Sequence, residues 1–217
     1  MTELPPHLRA VLTASTRAVW LALVGNLPSG AYLVGGTGIA AHLGHRDSRD
    51  LDFFVGESFD PALLAASLER MGRFVAVQME PGTLNGFFED IKVQFFDASG
   101  QHPVEPLQVI GGIPVAGLRD LATTKLKVVG DRGELRDYFD LMILEQQAGL
   151  SVEEGLSVFL ERYRPATPEA AVLHIVRGLG HFGDVVDDPG LPIGREEIEG
   201  YWTRRQPEIV ASLGWRR

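Results

Sequence analysis

The stretch from Ala31 to Val55, AYLVGGTGIAAHLGHRDSRDLDFFV, decides how the rest of the chain is read. Ala31 to Val34 is a short apolar strand, Gly35-Gly36 is a turn, and Thr37 to Leu43 forms a helix with Thr37 near its N-terminus. Leu51 to Val55 is a second strand. The glycines let backbone come close to a ligand, and the helix after them directs its first amides, together with the Thr37 hydroxyl, outward as a phosphate cradle. Asp50 and Asp52 stand two apart and so share one strand face, where two carboxylates repel unless a cation lies between them. Hard oxygen donors of this kind suit Mg2+. Gly35, Gly36, Thr37, Arg46 and Ser48 on the substrate side, with Asp50 and Asp52 on the metal side, predict a site for a magnesium nucleoside triphosphate.

Each part has a plainer reading. A Gly-Gly-Thr turn is common, and Asp-apolar-Asp occurs on solvated edge strands; only their conjunction in strand and helix context points to function. Gly36-Thr37-Gly38-Ile39-Ala40-Ala41 also fits G-x-G-x-x-A, the dinucleotide fingerprint. That pattern wants an acid at the end of the next strand, whereas Asp50 and Asp52 lie at the start of theirs, and strand-helix alternation stops after residue 72. No G-x-x-x-x-G-K-[ST] motif is present. His42 and His45 read as packing or surface residues.

Working outward, Leu8 to Leu23 carries an apolar helical stripe, read as one amphipathic helix. Asp60-Pro61 caps a helix running to Met71. Phe74 to Met79, Thr83 to Phe88 and Ile91 to Phe96 are strands, with weaker candidates at Gln108 to Ile110 and Ile113 to Val115. From Leu118 the periodicity becomes helical: Leu118 to Val129, Glu134 to Gln147, a capping box at Ser151 opening a helix to about Glu161, Pro168 to Arg177, and Glu196 to Leu213 with an interruption at Pro207. The expected fold class is α/β (α+β), a mixed sheet flanked by helices and followed by a helical region. The expected boundary separates an α/β domain, 1–116, from a helical domain, 117–217.

Composition limits the partners. The chain has 217 residues, 45% of them apolar, and a net charge of −9, which disfavours broad capture of polyanions or anionic membranes. No apolar run is long enough for a membrane span, the N-terminus does not read as a secretory leader, and zero cysteines suit a reducing, cytoplasmic compartment. Only Lys92, Lys125 and Lys127 are lysines among 20 basic residues. Lys125 and Lys127, with Arg119, Arg132 and Arg136, make a local basic excess that is the candidate anion-binding wall. For Arg136 the plain alternative is an intrahelical ion pair with Asp140 four residues on. For Lys125 a flexible point charge suits a triphosphate.

Three blocks, YLVGGTGIAAHLGHRDSRDLDFF, DLATTKLKVVGDRGELRDYFDL and GLGHFGDVVDDP, resemble the AbiEii/AbiGii-type nucleotidyltransferase toxin family of bacteria. The resemblance implies a DNA polymerase beta-like nucleotidyltransferase core with an appended helical region contributing to the same site. It implies that Gly36 and Thr37 hold phosphate oxygens, Asp50 and Asp52 the Mg2+, and Lys125 the triphosphate, with Arg136 and Asp137 lining the site. Transfer of a nucleoside monophosphate from an NTP to an acceptor hydroxyl follows, the acceptor being RNA such as tRNA, with an antitoxin protein as partner. The superfamily commonly supplies a third carboxylate from a later strand. Here Ile91 to Phe96 offers Gln94 instead, and Asp137 becomes the candidate substitute base, its charge kept by Arg136. Loss of that acid also admits a second reading, a nucleotide-binding interaction protein with little transfer.

Overall fold

The computed structural model describes residues 3–214. The chain forms two compact units, Met1–Gly117 and Leu118–Arg217.

The first unit contains the helices α1 (Pro6–Val11), α2 (Ala14–Leu23), α3 (Gly35–Leu43) and α4 (Pro61–Met71). Its strands are β1 (Ala31–Val34), β2 (Leu51–Val55), β3 (Phe74–Glu80), β4 (Thr83–Phe88), β5 (Ile91–Asp97), β6 (Gln108–Ile110) and β7 (Ile113–Val115). Among the described residues they make one sheet in the order β3-β4-β5-β2-β1-β7-β6. β2 runs antiparallel to β1 and parallel to β5, and β1 runs parallel to β7. The outer neighbours are antiparallel, so the sheet is mixed.

The pleat explains which residues the site can use. Leu51, Phe53 and Val55 are buried, while Asp52 and Phe54 between them are half-buried. Leu33, Phe53, Val93 and Phe95 join Leu8, Trp20 and Leu23 of α1 and α2 and Leu64 and Leu68 of α4 in one apolar core. Phe53 and Phe95 stack at 5.2 Å between ring centroids. The even-numbered face of β2 is left for polar residues and for an aromatic ladder, Tyr32 to Phe54 to Phe96, in edge contacts of 6.0 and 6.3 Å.

Three expectations are corrected here. The stripe from Leu8 to Leu23 is two helices, because Leu12 turns extended to bridge Ser48 and Thr13 caps α2 through a 3.0 Å bond from the Thr16 amide to its Oγ1. Gly35-Gly36 is the first turn of α3, with Gly35 at φ +69°. Pro207 does not interrupt the last helix.

The second unit is helical: α5 (Leu118–Arg132), α6 (Leu135–Ala148), α7 (Val152–Tyr163), α8 (Pro168–Leu179) and α9 (Arg195–Ser212). α5 packs against α6, α7 and α8, and α9 against α6, α7 and α8. Trp202 and Ile209, both fully buried, anchor α9 on either side of Pro207, and the Trp202 indole donates to the Tyr138 carbonyl at 3.1 Å. That burial outweighs the amide bond a proline cannot make. Among the described residues no helix is long and apolar enough to cross a membrane.

Candidate functional site

In the sheet unit the site is built around Asp52. Its Cα is in register with Val34 of β1 on one side and with Gln94 of β5 on the other. Gln94 pairs in turn with Asn85 of β4, whose Nδ2 donates to Gln78 Oε1 at 2.7 Å. A polar row thus crosses the sheet from Asp52 through Gln94 and Asn85 to Gln78. The Asp52 carboxylate also lies against the start of α3: a Cβ placed on Gly35 would collide with Asp52 Oδ2. Glycine at 35 therefore answers two demands, a left-handed backbone and a carboxylate where a side chain would stand. Asp50, one residue before β2, is half-buried on the same parity as Asp52. α3 starts from Val34 with no side-chain cap, so its first-turn amides lie beside the acids without a capping oxygen.

The structure corrects the role of Thr37. Its side chain is buried, with Oγ1 2.5 Å from Ser48 Oγ and bonded to the Asp50 carbonyl. Ser48, also buried, has its amide on the Val11 carbonyl at 3.1 Å. The two hydroxyls pin the loop that leads into Asp50 rather than reach outward to a ligand. Arg46 is buried and donates to the Asp47 carbonyl at 3.0 Å. His42 Nε2 donates to the Ala116 carbonyl at 2.8 Å, and burial lowers its pKa below the ordinary 6.5.

In the helical unit Lys125 is buried, its Nζ 2.7 Å from both Asp137 Oδ1 and Asp140 Oδ2. Asp137 Oδ2 accepts the Glu134 amide at 2.9 Å, capping α6 as well. Arg136 pairs with Glu134, and Asp140, the plain alternative partner for Arg136, lies against Lys125. Lys127 pairs with Asp131 at 2.7 Å in the open, and that ammonium holds the Asp131 pKa below its usual value. Asp140 is the residue that sequence reasoning set aside. Its three-residue spacing from Asp137 on one helix face was the available signal. The fully buried pair of Arg162 with Asp120, at 2.5 Å, carried no comparable signal.

Among the described residues no three His, Cys, Asp or Glu side chains gather as a metal-binding set. The carboxylates of Asp50 and Asp52, with Gln94 in register beside Asp52, still offer hard oxygen donors, and they fit a Mg2+ whose other ligands are water and phosphate.

A solved structure of a candidate nucleotidyltransferase from H. pylori matches 92% of this chain and 95% of its own, with a TM-score of 0.58 and 19% identity. The fold is nucleotidyltransferase-like. A protein of Aquifex aeolicus without assigned function is 28% identical over 176 residues, 79% of this chain and 80% of the relative. The nucleotidyltransferase toxin MenT4 of Mycobacterium tuberculosis aligns over 95% of this chain and 96% of its own at 14% identity, but its TM-score of 0.42 lends no weight. No family model matches the chain.

Proposed function

We propose that this protein is a magnesium-dependent nucleotidyltransferase, moving a nucleoside monophosphate from an NTP to an acceptor hydroxyl with pyrophosphate as leaving group. The observation that carries the reading is the Asp52 carboxylate lodged against Gly35 at the start of α3, with Asp50 just before it in the chain. Asp50 and Asp52 hold the metal, and the α3 amides at Gly35 and Gly36 receive phosphate oxygens. Bound Mg2+ supplies charge neutralisation on the triphosphate. Thr37 and Ser48 are positioning residues that fix the loop before Asp50, and Arg46 stiffens the same loop. For Lys125 of the helical domain, 117–217, the triphosphate role rests on the sequence resemblance alone, as do the substrate roles of Lys127 and Arg136; within its own unit Lys125 is the buried cation that compensates Asp137 and Asp140. Asp137 is no longer the best substitute base, since Lys125 and the Glu134 amide occupy its two oxygens. An RNA acceptor such as tRNA, a toxin role beside an antitoxin, and a cytoplasmic location rest on the sequence blocks and composition.

Gln94 favours a second reading. A neutral amide in register with Asp52 accepts no proton and adds no charge to the metal site, so the protein binds Mg-NTP but transfers poorly. One experiment separates the two. The protein is incubated with labelled NTP, Mg2+ and total RNA, beside thermal unfolding with Mg-NTP and with NTP plus EDTA. Label transfer that Asp52→Asn abolishes supports the transferase. Mg-dependent stabilisation, about 2.7 kcal/mol at 100 times Kd, without transfer supports the binder. Equal melting with and without metal overturns both.

A further inference from the structure

β3 ends the sheet with β4 on one side and an open edge on the other. Along its seven residues Phe74 alone is buried. Val75, Val77 and Met79 are 52%, 70% and 49% exposed, which is unusual for large apolar side chains on a strand that has no neighbour on that edge among the described residues. Edges of this kind are commonly blunted by Lys or Pro, and Phe74–Glu80 contains neither. The protection it has is a bulge between Ala76 and Gln78.

The edge sequence is complementary to itself. Laid antiparallel so that Arg73 faces Glu80, the segment RFVAVQME sets Phe74 against Met79, Val75 against Gln78 and Ala76 against Val77, each twice about a twofold axis. A shift of one residue sets Phe74 against Glu80 and Arg73 against Pro81, so charge selects the first register. Arg73 and Glu80 are both exposed, and Arg73 reaches Asp90 at 2.5 Å with more than half its side chain still open. Beyond the strand end, Met79 and Glu80 run into an open cleft of about 630 Å3 that Phe59, Pro61 and Pro81 also line, which extends the apolar surface past the strand. Two chains of net charge −9 repel, so association needs a local match of this kind.

We propose that β3 is a self-association edge, pairing antiparallel with β3 of a second copy of this chain so that the two sheets become one. The apolar rows supply the attraction, and the reciprocal Arg73 to Glu80 pairs fix the register. Sedimentation and light scattering across a concentration series test this on the full chain. Wild type is expected to dimerise, and Val77→Lys to stay monomeric with unchanged circular dichroism, since Val77 is exposed. Arg73→Glu should weaken the dimer about tenfold or more, and Arg73→Glu with Glu80→Arg should restore it. The restoration reads the intermolecular pair specifically, because the double variant does not rebuild the contact with Asp90. A wild type that stays monomeric overturns the proposal. So does a dimer indifferent to Val77→Lys, or a double variant no tighter than the single.

Discussion

Asp50 and Asp52 in the sheet unit, and Asp137 and Asp140 in the helical unit, are both pairs of neighbouring acids, and their surroundings are opposite. The first pair is half-buried on the polar side of a strand, beside glycine backbone and the amide of Gln94. The second is buried, with one ammonium 2.7 Å from an oxygen of each. Charge that is already compensated inside the chain holds structure. Carboxylates that stay half-buried beside a helix start remain accessible to a ligand. The same residue type thus has different work in the two units, and burial rather than identity assigns it.

The largest expected effect breaks the buried side of the comparison. Lys125→Met leaves two acids without their cation and should cost about 3–5 kcal/mol in urea unfolding. Asp52→Asn should move the same measurement by no more than about 0.5 kcal/mol, because the half-buried amide keeps the shape of the carboxylate and relieves repulsion with Asp50. Similar losses for the two variants would erase the distinction.

A smaller effect is expected at the contact that makes the surface pair unusual. Gly35→Ala forces a side chain onto a φ of +69° and into the Asp52 carboxylate, so about 1–3 kcal/mol should be lost. In an Asp52→Ala background part of that loss should return, since the collision disappears and the backbone strain stays. A purely additive double mutant would show that the carboxylate does not crowd Gly35.

The smallest effect is a pH dependence. Burial lowers the His42 pKa, so below about pH 6.5 the unfolded chain binds a proton that the folded one refuses. The stability this residue confers is complete above pH 6.5 and falls away as pH drops toward the lowered value. His42→Gln, which keeps a donor for the Ala116 carbonyl, should flatten that decline in melting temperature below about pH 6.5. An unchanged slope would place the titration elsewhere.

Much of this architecture is legible in the sequence, for physical reasons that also mark where reading fails. All seven strands among the described residues are announced by apolar alternation and turn residues, down to the short pair around Gly111-Gly112. The glycines that open α3 read as a turn because glycine is a poor helix former, yet its open φ lets the helix begin at once on leaving β1. Periodicity hid the break at Leu12 and Thr13, which is imposed by a partner strand segment at Ser48, far away in sequence. Pro207 looked like a stop because local propensity is blind to the tertiary burial of Trp202 and Ile209. At the site, residue types and spacing singled out Asp50, Asp52 and Gln94, and β-sheet register then put Gln94 beside Asp52. The inward turn of Thr37 and the capture of Lys125 by Asp140 depend on three-dimensional packing, which no spacing rule encodes.

The fastening of Ser48 has a consequence for the thermodynamics of ligand capture. The segment from His45 to Arg49 contains neither helix nor strand, and such a loop would ordinarily lose conformational freedom only when a ligand orders it. Here the Ser48 amide is held by Val11 and its hydroxyl by Thr37, which also grips the Asp50 carbonyl. The entropy of ordering is therefore spent during folding, and a ligand arriving at Asp50 meets a wall that is already rigid. Binding there should be correspondingly insensitive to loop ordering, with its heat and heat capacity set by desolvation of phosphate and carboxylate rather than by coupled folding.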